Sequence, residues 1–286
     1  MFGLFGFGMS PEMEKRQRER ERAERAERMK EAVAWDPKVN WTPRLTIKAE
    51  TWPSWDLFSP PPSTCHDVND ETDESKLVFS PCGRFVFYRK TLKKGGKLLT
   101  LSGSREGNVM FDGDVYIPAL HEKTRNGERW HEHPWMSVTP MELMTQRPGV
   151  RFAKGHTIVG GLGMGWALVQ ILLKKTVTRV TLVERSQALV DWLLPRVKQL
   201  HLSAFDKQLD IVVGDAYEVI PAMTADVAVI DIFDGYGGND FLEGVMNRMR
   251  NALPSGQRWK TELGPPCPNI GRVWSWGKAE VSDGGW

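Results

Sequence analysis

Thr157-Ile-Val-Gly-Gly-Leu-Gly-Met-Gly-Trp166, followed nineteen residues after Gly165 by Glu184 at the end of Val180-Thr-Leu-Val-Glu184, decides how this chain is read. A short apolar run leads into a glycine cluster, then a helix-length segment, then a second apolar run that ends in a carboxylate. That order is the first half of a nucleotide-binding βαβ unit. Glycines at 161, 163 and 165 let the backbone turn tightly and approach a ligand where a Cβ would clash. Glu184, at the tip of the second strand, is placed to accept hydrogen bonds from ribose hydroxyls.

The pattern continues downstream. Gln187 to Leu200 carries Leu189, Val190, Leu193, Leu194 and Val197 at close to helical spacing. Leu209-Asp-Ile-Val-Val213 has strand length and ends in Gly214-Asp215-Ala216. Ala225-Asp-Val-Ala-Val-Ile-Asp231 gives a further strand, and Ile232-Phe-Asp234-Gly-Tyr-Gly-Gly238 a loop. Strands alternating with helices from about residue 156 to 252 predict a parallel sheet with helices on both faces. In such sheets ligands bind off the carboxyl ends of the strands, and here each of those ends carries a glycine or an acid. The expected fold is therefore α/β, a Rossmann-like doubly wound sheet, preceded by a small N-terminal β region and a charged N-terminal helix.

Together the glycine turn, Glu184, Gly214-Asp215-Ala216 and Asp231 resemble the class I S-adenosylmethionine-dependent methyltransferases, in particular their spermidine-synthase-like branch, over roughly residues 150 to 256. The resemblance implies that Gly161, Gly163 and Gly165 line the methionine part of the cofactor S-adenosylmethionine. It implies too that Glu184 binds the ribose, that Asp215 with Ala216 contacts the adenine, and that Asp231 and Asp234 face the reacting centre. Val159 stands where many methyltransferases carry an acid, and Leu162 and Met164 occupy a turn that is usually acidic in spermidine synthases. Leu253-Pro-Ser-Gly256 resembles the turn before a fifth strand. Gln257 to Leu263 is too polar for a central strand, and Arg272 to Trp276 is expected to be a reduced terminal hairpin, so the sheet is expected to be shortened at its C-terminal end.

Elementary chemistry supports the same cofactor. Adenosine offers a ribose diol and an exocyclic amine, all donors, and acceptor-only carboxylates suit them. A dinucleotide would instead need helix-N-terminal amides for its pyrophosphate, and Gly-Leu-Gly-Met-Gly lacks the two-residue gap of the dinucleotide fingerprint. Three functions follow as expectations: methyl transfer to a small molecule or a protein side chain, aminopropyl transfer to a diamine, or non-catalytic binding and assembly on a degenerate fold. In either transfer Asp231 or Asp234 would hold an amine or hydroxyl acceptor and help remove its proton.

The remainder sets bounds. A net charge of +2 over 286 residues calls for neither nucleic acid nor membrane as a partner. Cys65, Cys82 and Cys267 are far apart, which points to a reducing, cytoplasmic compartment without a disulfide framework. His121 with His131-Glu132-His133 lacks metal-ligand spacing, so no metal is expected. Residues 1–34 form a charged helical arm opening at Ser10 and Pro11, with Glu14–Arg18, Glu21–Arg25 and Glu24–Arg28 at i,i+4 spacing. Phe2, Leu4, Phe5 and Phe7 are the residues through which such an arm would engage a protein partner. Residues 35–138 read as an irregular Pro/Trp-rich and antiparallel β region, and 139–286 as the cofactor-binding domain.

Overall fold

The computed structural model describes residues 11–36, 45–66, 68, 70–96, 98–99, 108–124, 127, 129–131, 134–233, 239–251 and 266–278. In chain order the first half holds α1 (Pro11–Lys30), β1 (Thr46–Ile47), β2 (Val78–Phe79), β3 (Phe85–Leu92), β4 (Leu98–Leu99), β5 (Asn108–Phe111), β6 (Val115–Glu122) and β7 (Met136–Ser137). The second half holds α2 (Pro140–Phe152), β8 (Gly155–Gly160), α3 (Trp166–Leu172), β9 (Val177–Glu184), α4 (Gln187–Leu200), β10 (Gln208–Val213), α5 (Ala216–Val219), β11 (Ala225–Ile230), α6 (Phe241–Asn251) and β12 (Ile270–Ser275). By backbone contacts the chain forms two units: Met1–Pro53 with Leu92–Val115, and Ser54–Thr91 with Tyr116–Trp286. Both are discontinuous in sequence, whereas the divisions at 34 and 138 mark changes of composition.

In the larger unit β8 to β12 make one five-stranded sheet in the order β10-β9-β8-β11-β12, and every pairing in it is parallel. The central strands are apolar because both faces are covered: Ile158, Val180, Leu182, Val227, Ala228 and Ile230 are fully buried. At the edge, β10 leaves Ile211 and Val213 exposed. The helix α4 starts where Ser186 Oγ accepts the Leu189 N–H at 3.2 Å, and it turns Leu189, Leu193 and Val197 inward. Below the carboxyl ends of β8, β9 and β11, Ile158, Val183, Ile220, Ile230, Phe241 and Val245 share one core cluster. Each such side chain taken from water contributes about 1.5–3 kcal/mol.

Two expectations are corrected. Arg272 to Trp276 is not a hairpin: β12 is a fifth parallel strand, with Val227 opposite Arg272 and Val229 opposite Trp274. The crossover between β11 and β12 contains α6, and a helical crossover returns the chain parallel where a tight turn would return it antiparallel. Gln257 to Leu263 lies outside the described residues. The N-terminal strands form two sheets, and not every pairing in them is antiparallel as expected. β2-β3-β6-β7 is four-stranded, with β2–β3 and β6–β7 antiparallel, whereas β1-β5-β4 is three-stranded with β1 parallel to β5.

In the smaller unit, α1 has no buried residue. Its ion pairs include Arg16–Glu12 at 2.8 Å, Arg18–Glu14 at 3.5 Å and Arg20–Glu24 at 3.1 Å. All are solvent-exposed, so each contributes a few tenths of a kcal/mol. Arg25 donates to the Lys94 carbonyl at 3.0 Å in place of its expected pairing with Glu21. Ser10 and the four apolar residues before it lie outside the described residues. No described helix is long and apolar enough to cross a membrane.

Candidate active site

A cavity of 1310 Å³ lies off the carboxyl ends of β8, β9 and β11, lined by residues of the larger unit alone. A single ligand usually occupies about 300–1,000 Å³, so there is room for a second reactant. Gly161, Gly163, Glu184, Asp215, Ala216 and Asp231 all line it. The fold thus gathers six residues spread over seventy positions of sequence. Gly165 instead begins α3 with a φ of 82°. Asp234 lies outside the described residues.

The glycine turn is held by its own backbone and by side chains from three separate segments. Gly161 donates to the Val183 carbonyl at 2.8 Å and Gly165 to the Leu162 carbonyl at 2.8 Å. Leu162 N–H donates to Glu184 Oε2 at 2.8 Å, and Met164 N–H to Met136 Sδ at 3.0 Å. The Met164 carbonyl accepts from Trp55 Nε1 at 2.9 Å. Trp55 is buried in the left-handed region at a φ of 47°, and its ring stacks on His201 at 4.5 Å. Gly161, at a φ of 94°, cannot carry a side chain, because a Cβ there would lie 2.2 Å from the Asp231 carbonyl oxygen.

The acids divide by environment. Glu184 is 5% exposed; besides Leu162 it receives the Ser186 N–H at 2.8 Å on Oε1. Each oxygen keeps a further lone pair for a ligand donor. Asp215 caps α5 through Tyr217 N–H at 2.9 Å and meets Arg248 Nη1 at 3.0 Å, so both of its oxygens already have partners. Asp231 sits past the end of β11 and accepts from Gln146 Nε2 at 2.9 Å. The same amide reaches Glu142 Oε1 at 3.5 Å, while Gln146 Oε1 is buried with no hydrogen-bond partner among the described residues. Gln146 therefore commits its amide nitrogen to two carboxyl groups. Desolvation pushes the Asp231 carboxyl up to about 7. Desolvation and the neighbouring Asp231 charge push Glu142 up to about 8, against the lowering effect of Ser137. Both groups still retain some solvent exposure at the cavity wall.

Sequence reasoning did not find Glu142, Gln146, Met136 or Trp276. Thr139-Pro-Met-Glu142 reads as a capping box, and Thr139 Oγ1 does accept the Glu142 N–H at 3.2 Å. The Glu142 carboxyl, however, turns to the cavity. Trp276, just past β12, also lines the cavity and donates Nε1–H to Thr145 at 2.8 Å. His121 is accounted for by Tyr88, whose hydroxyl meets Nε2 at 2.9 Å, and by the His131 carbonyl at 2.8 Å on Nδ1. Glu132 and His133 lie outside the described residues.

No family model matches the chain, and no curated protein matches it. Solved structures to which it is similar include spermidine synthase from Thermotoga maritima, 20% identical over 42% of this chain and 40% of that one, with a TM-score of 0.27. A methyltransferase from Geobacter sulfurreducens is 19% identical over 40% of this chain and 56% of the other, TM-score 0.29. Trm5b from Pyrococcus abyssi is 11% identical over 52% and 46%, TM-score 0.29. The chain spans 40 to 56% of the length of these structures. Numbered within the sheet, the strand order is 3-2-1-4-5, and that order reverses between β8 and β11 directly beneath the cavity. The C-terminal region therefore has a Rossmann-like, doubly wound α/β fold.

Proposed function

We propose that this chain is an S-adenosylmethionine-dependent methyltransferase whose acceptor is an amine or hydroxyl on a small molecule or a protein side chain. The observation that carries the reading is the internal commitment of the N–H groups of Gly161, Leu162 and Gly165 beside a wall of carboxylates. A pyrophosphate needs such amides free. An adenosine bearing a positive sulfonium needs acceptors and negative charge, which Glu184 and Asp231 provide. When bound, that cofactor supplies an already activated methyl carbon. What falls to the protein is to align the acceptor, exclude water and take a proton. Asp231, raised to about 7, is matched to that last task at neutral pH. Glu142, still higher, stays largely protonated there and limits the charge that the pair carries.

A second reading, aminopropyl transfer to a diamine, is favoured by the combination of Glu142 and Asp231 with Trp135 and Trp276 on the same wall. Acidic side chains beside aromatic faces suit an extended cationic amine, whose charge would favour the ionised form of Glu142.

Calorimetry with S-adenosylmethionine, its decarboxylated form and S-adenosylhomocysteine separates the readings. Methyl transfer expects micromolar binding of the first and third, weakened at least about tenfold, or 1.4 kcal/mol, in Glu184→Gln. Preference for the decarboxylated form selects aminopropyl transfer. A folded protein that binds none of the three sinks both and leaves a non-catalytic binding role. Ligand at a hundred times its dissociation constant should also stabilise the fold by about 2.7 kcal/mol.

A further inference from the structure

One side chain on the cavity wall does something that the proposed activity does not use. Met136 Sδ accepts the Met164 N–H at 3.0 Å. A Cβ built on Gly163 would fall 1.9 Å from that sulfur and 2.6 Å from the Met136 methyl carbon. The bare α-carbon of Gly163 is thus covered by a thioether from the chain itself, and both residues line the cavity. The backbone beside Met136 is fixed: Met136 is in register with Leu120, the Trp135 ring stacks on Phe85 at 5.9 Å, and Ser137 Oγ donates to Glu142 at 3.3 Å. The side chain is a different matter, since methionine has three rotatable bonds and adapts to its neighbours. Its sulfur is a weak acceptor, and a ligand carboxylate would make a shorter and stronger bond to the same N–H.

Resting on the cofactor reading above, we propose that Met136 is a gate at the amino-acid end of the ligand site. Its thioether covers Gly163 and holds the Met164 N–H until the amino-acid tail of an adenosine thioether displaces it. The ligand class that opens the gate is therefore one with a carboxylate-bearing tail, and an adenosine thioether without that tail leaves it shut. A gate closed in about four-fifths of molecules weakens apparent affinity roughly fivefold, because only the open fraction binds.

The test uses the full chain with S-adenosylhomocysteine and 5′-methylthioadenosine, which share the adenosine thioether and differ in the tail. Met136→Ala is expected to bind S-adenosylhomocysteine about fivefold more tightly and 5′-methylthioadenosine within about twofold of wild type. Equal changes for the two ligands, or no gain for the first, overturn the gate while leaving the cofactor reading in place. If neither protein binds either ligand, the cofactor reading fails and the gate falls with it. A second measurement needs no variant in the titration itself. In wild type labelled at its methionine methyl carbons, the Met136 resonance is assigned by its loss in Met136→Leu. It should shift with S-adenosylhomocysteine and stay with 5′-methylthioadenosine; a resonance unmoved in the saturated S-adenosylhomocysteine complex also overturns the gate.

Discussion

Asp231 and Glu142 show how burial sets two carboxyl groups apart from a surface acid, with the Asp231 charge adding to the rise at Glu142. Both are raised, to about 7 and about 8, so between the ordinary carboxylate range and those values the folded chain holds more protons than the unfolded one. Stability must then fall as pH rises through that window, the reverse of the behaviour of a salt-bridged acid. Glu142→Gln keeps the shape and the contact with Gln146 but removes one titration. The expected outcome is a melting temperature higher than wild type at pH 8.5, by about 2–4 °C for each kcal/mol recovered, and a smaller gain at pH 5. Equal gains at the two pH values would show that Glu142 does not titrate in this window. None of this was legible in the sequence, where Glu142 is one more acid in the first turn of a helix.

At the scale of the element, the turn between β8 and α3 is a joint whose glycines serve different neighbours. Gly161 faces the backbone of the chain leaving β11, which also returns the Asp231 N–H to the Gly160 carbonyl at 2.8 Å. Gly163 faces only the flexible end of Met136. Both glycines have a positive φ, which costs an alanine about 1–3 kcal/mol, but Gly161→Ala should be the more damaging substitution, since the carbonyl oxygen cannot move aside without parting β8 from β11. Gly163→Ala should be partly rescued by Met136→Ala, whereas Gly161→Ala should not. Denaturant melts of the three single and two double variants check this, and rescue of Gly161→Ala by Met136→Ala would contradict the assignment. The glycine spacing was read correctly as a turn. What each glycine faces was not readable, because Met136 and Asp231 are distant in sequence.

For the whole molecule, burial is uneven. The sheet strands β8, β9 and β11 are paired on both sides and fully buried in their centres, while α1 buries nothing. Local opening should track that contrast. Amide exchange is expected to be fast throughout α1 and slowest in β8, β9 and β11. Saturating S-adenosylhomocysteine should slow exchange at the glycine turn and at the end of β9 without changing α1. Ligand protection of α1 would show that the arm takes part in binding.

The sequence by itself determined the alternation of strand and helix from Gly155 to Ile230, because periodicity and glycine punctuation are local signals set by backbone geometry. From that alternation it also determined that the glycine turn, Glu184, Asp215 and Asp231 would meet at one end of a parallel sheet. Only the tertiary structure decided that β12 joins the sheet as a strand parallel to β11. The same is true of the second acid brought to Asp231 by α2, and of the thioether of β7 seated on Gly163. Those outcomes depend on which distant segments pack together, and contacts between distant segments leave no periodic trace in the chain.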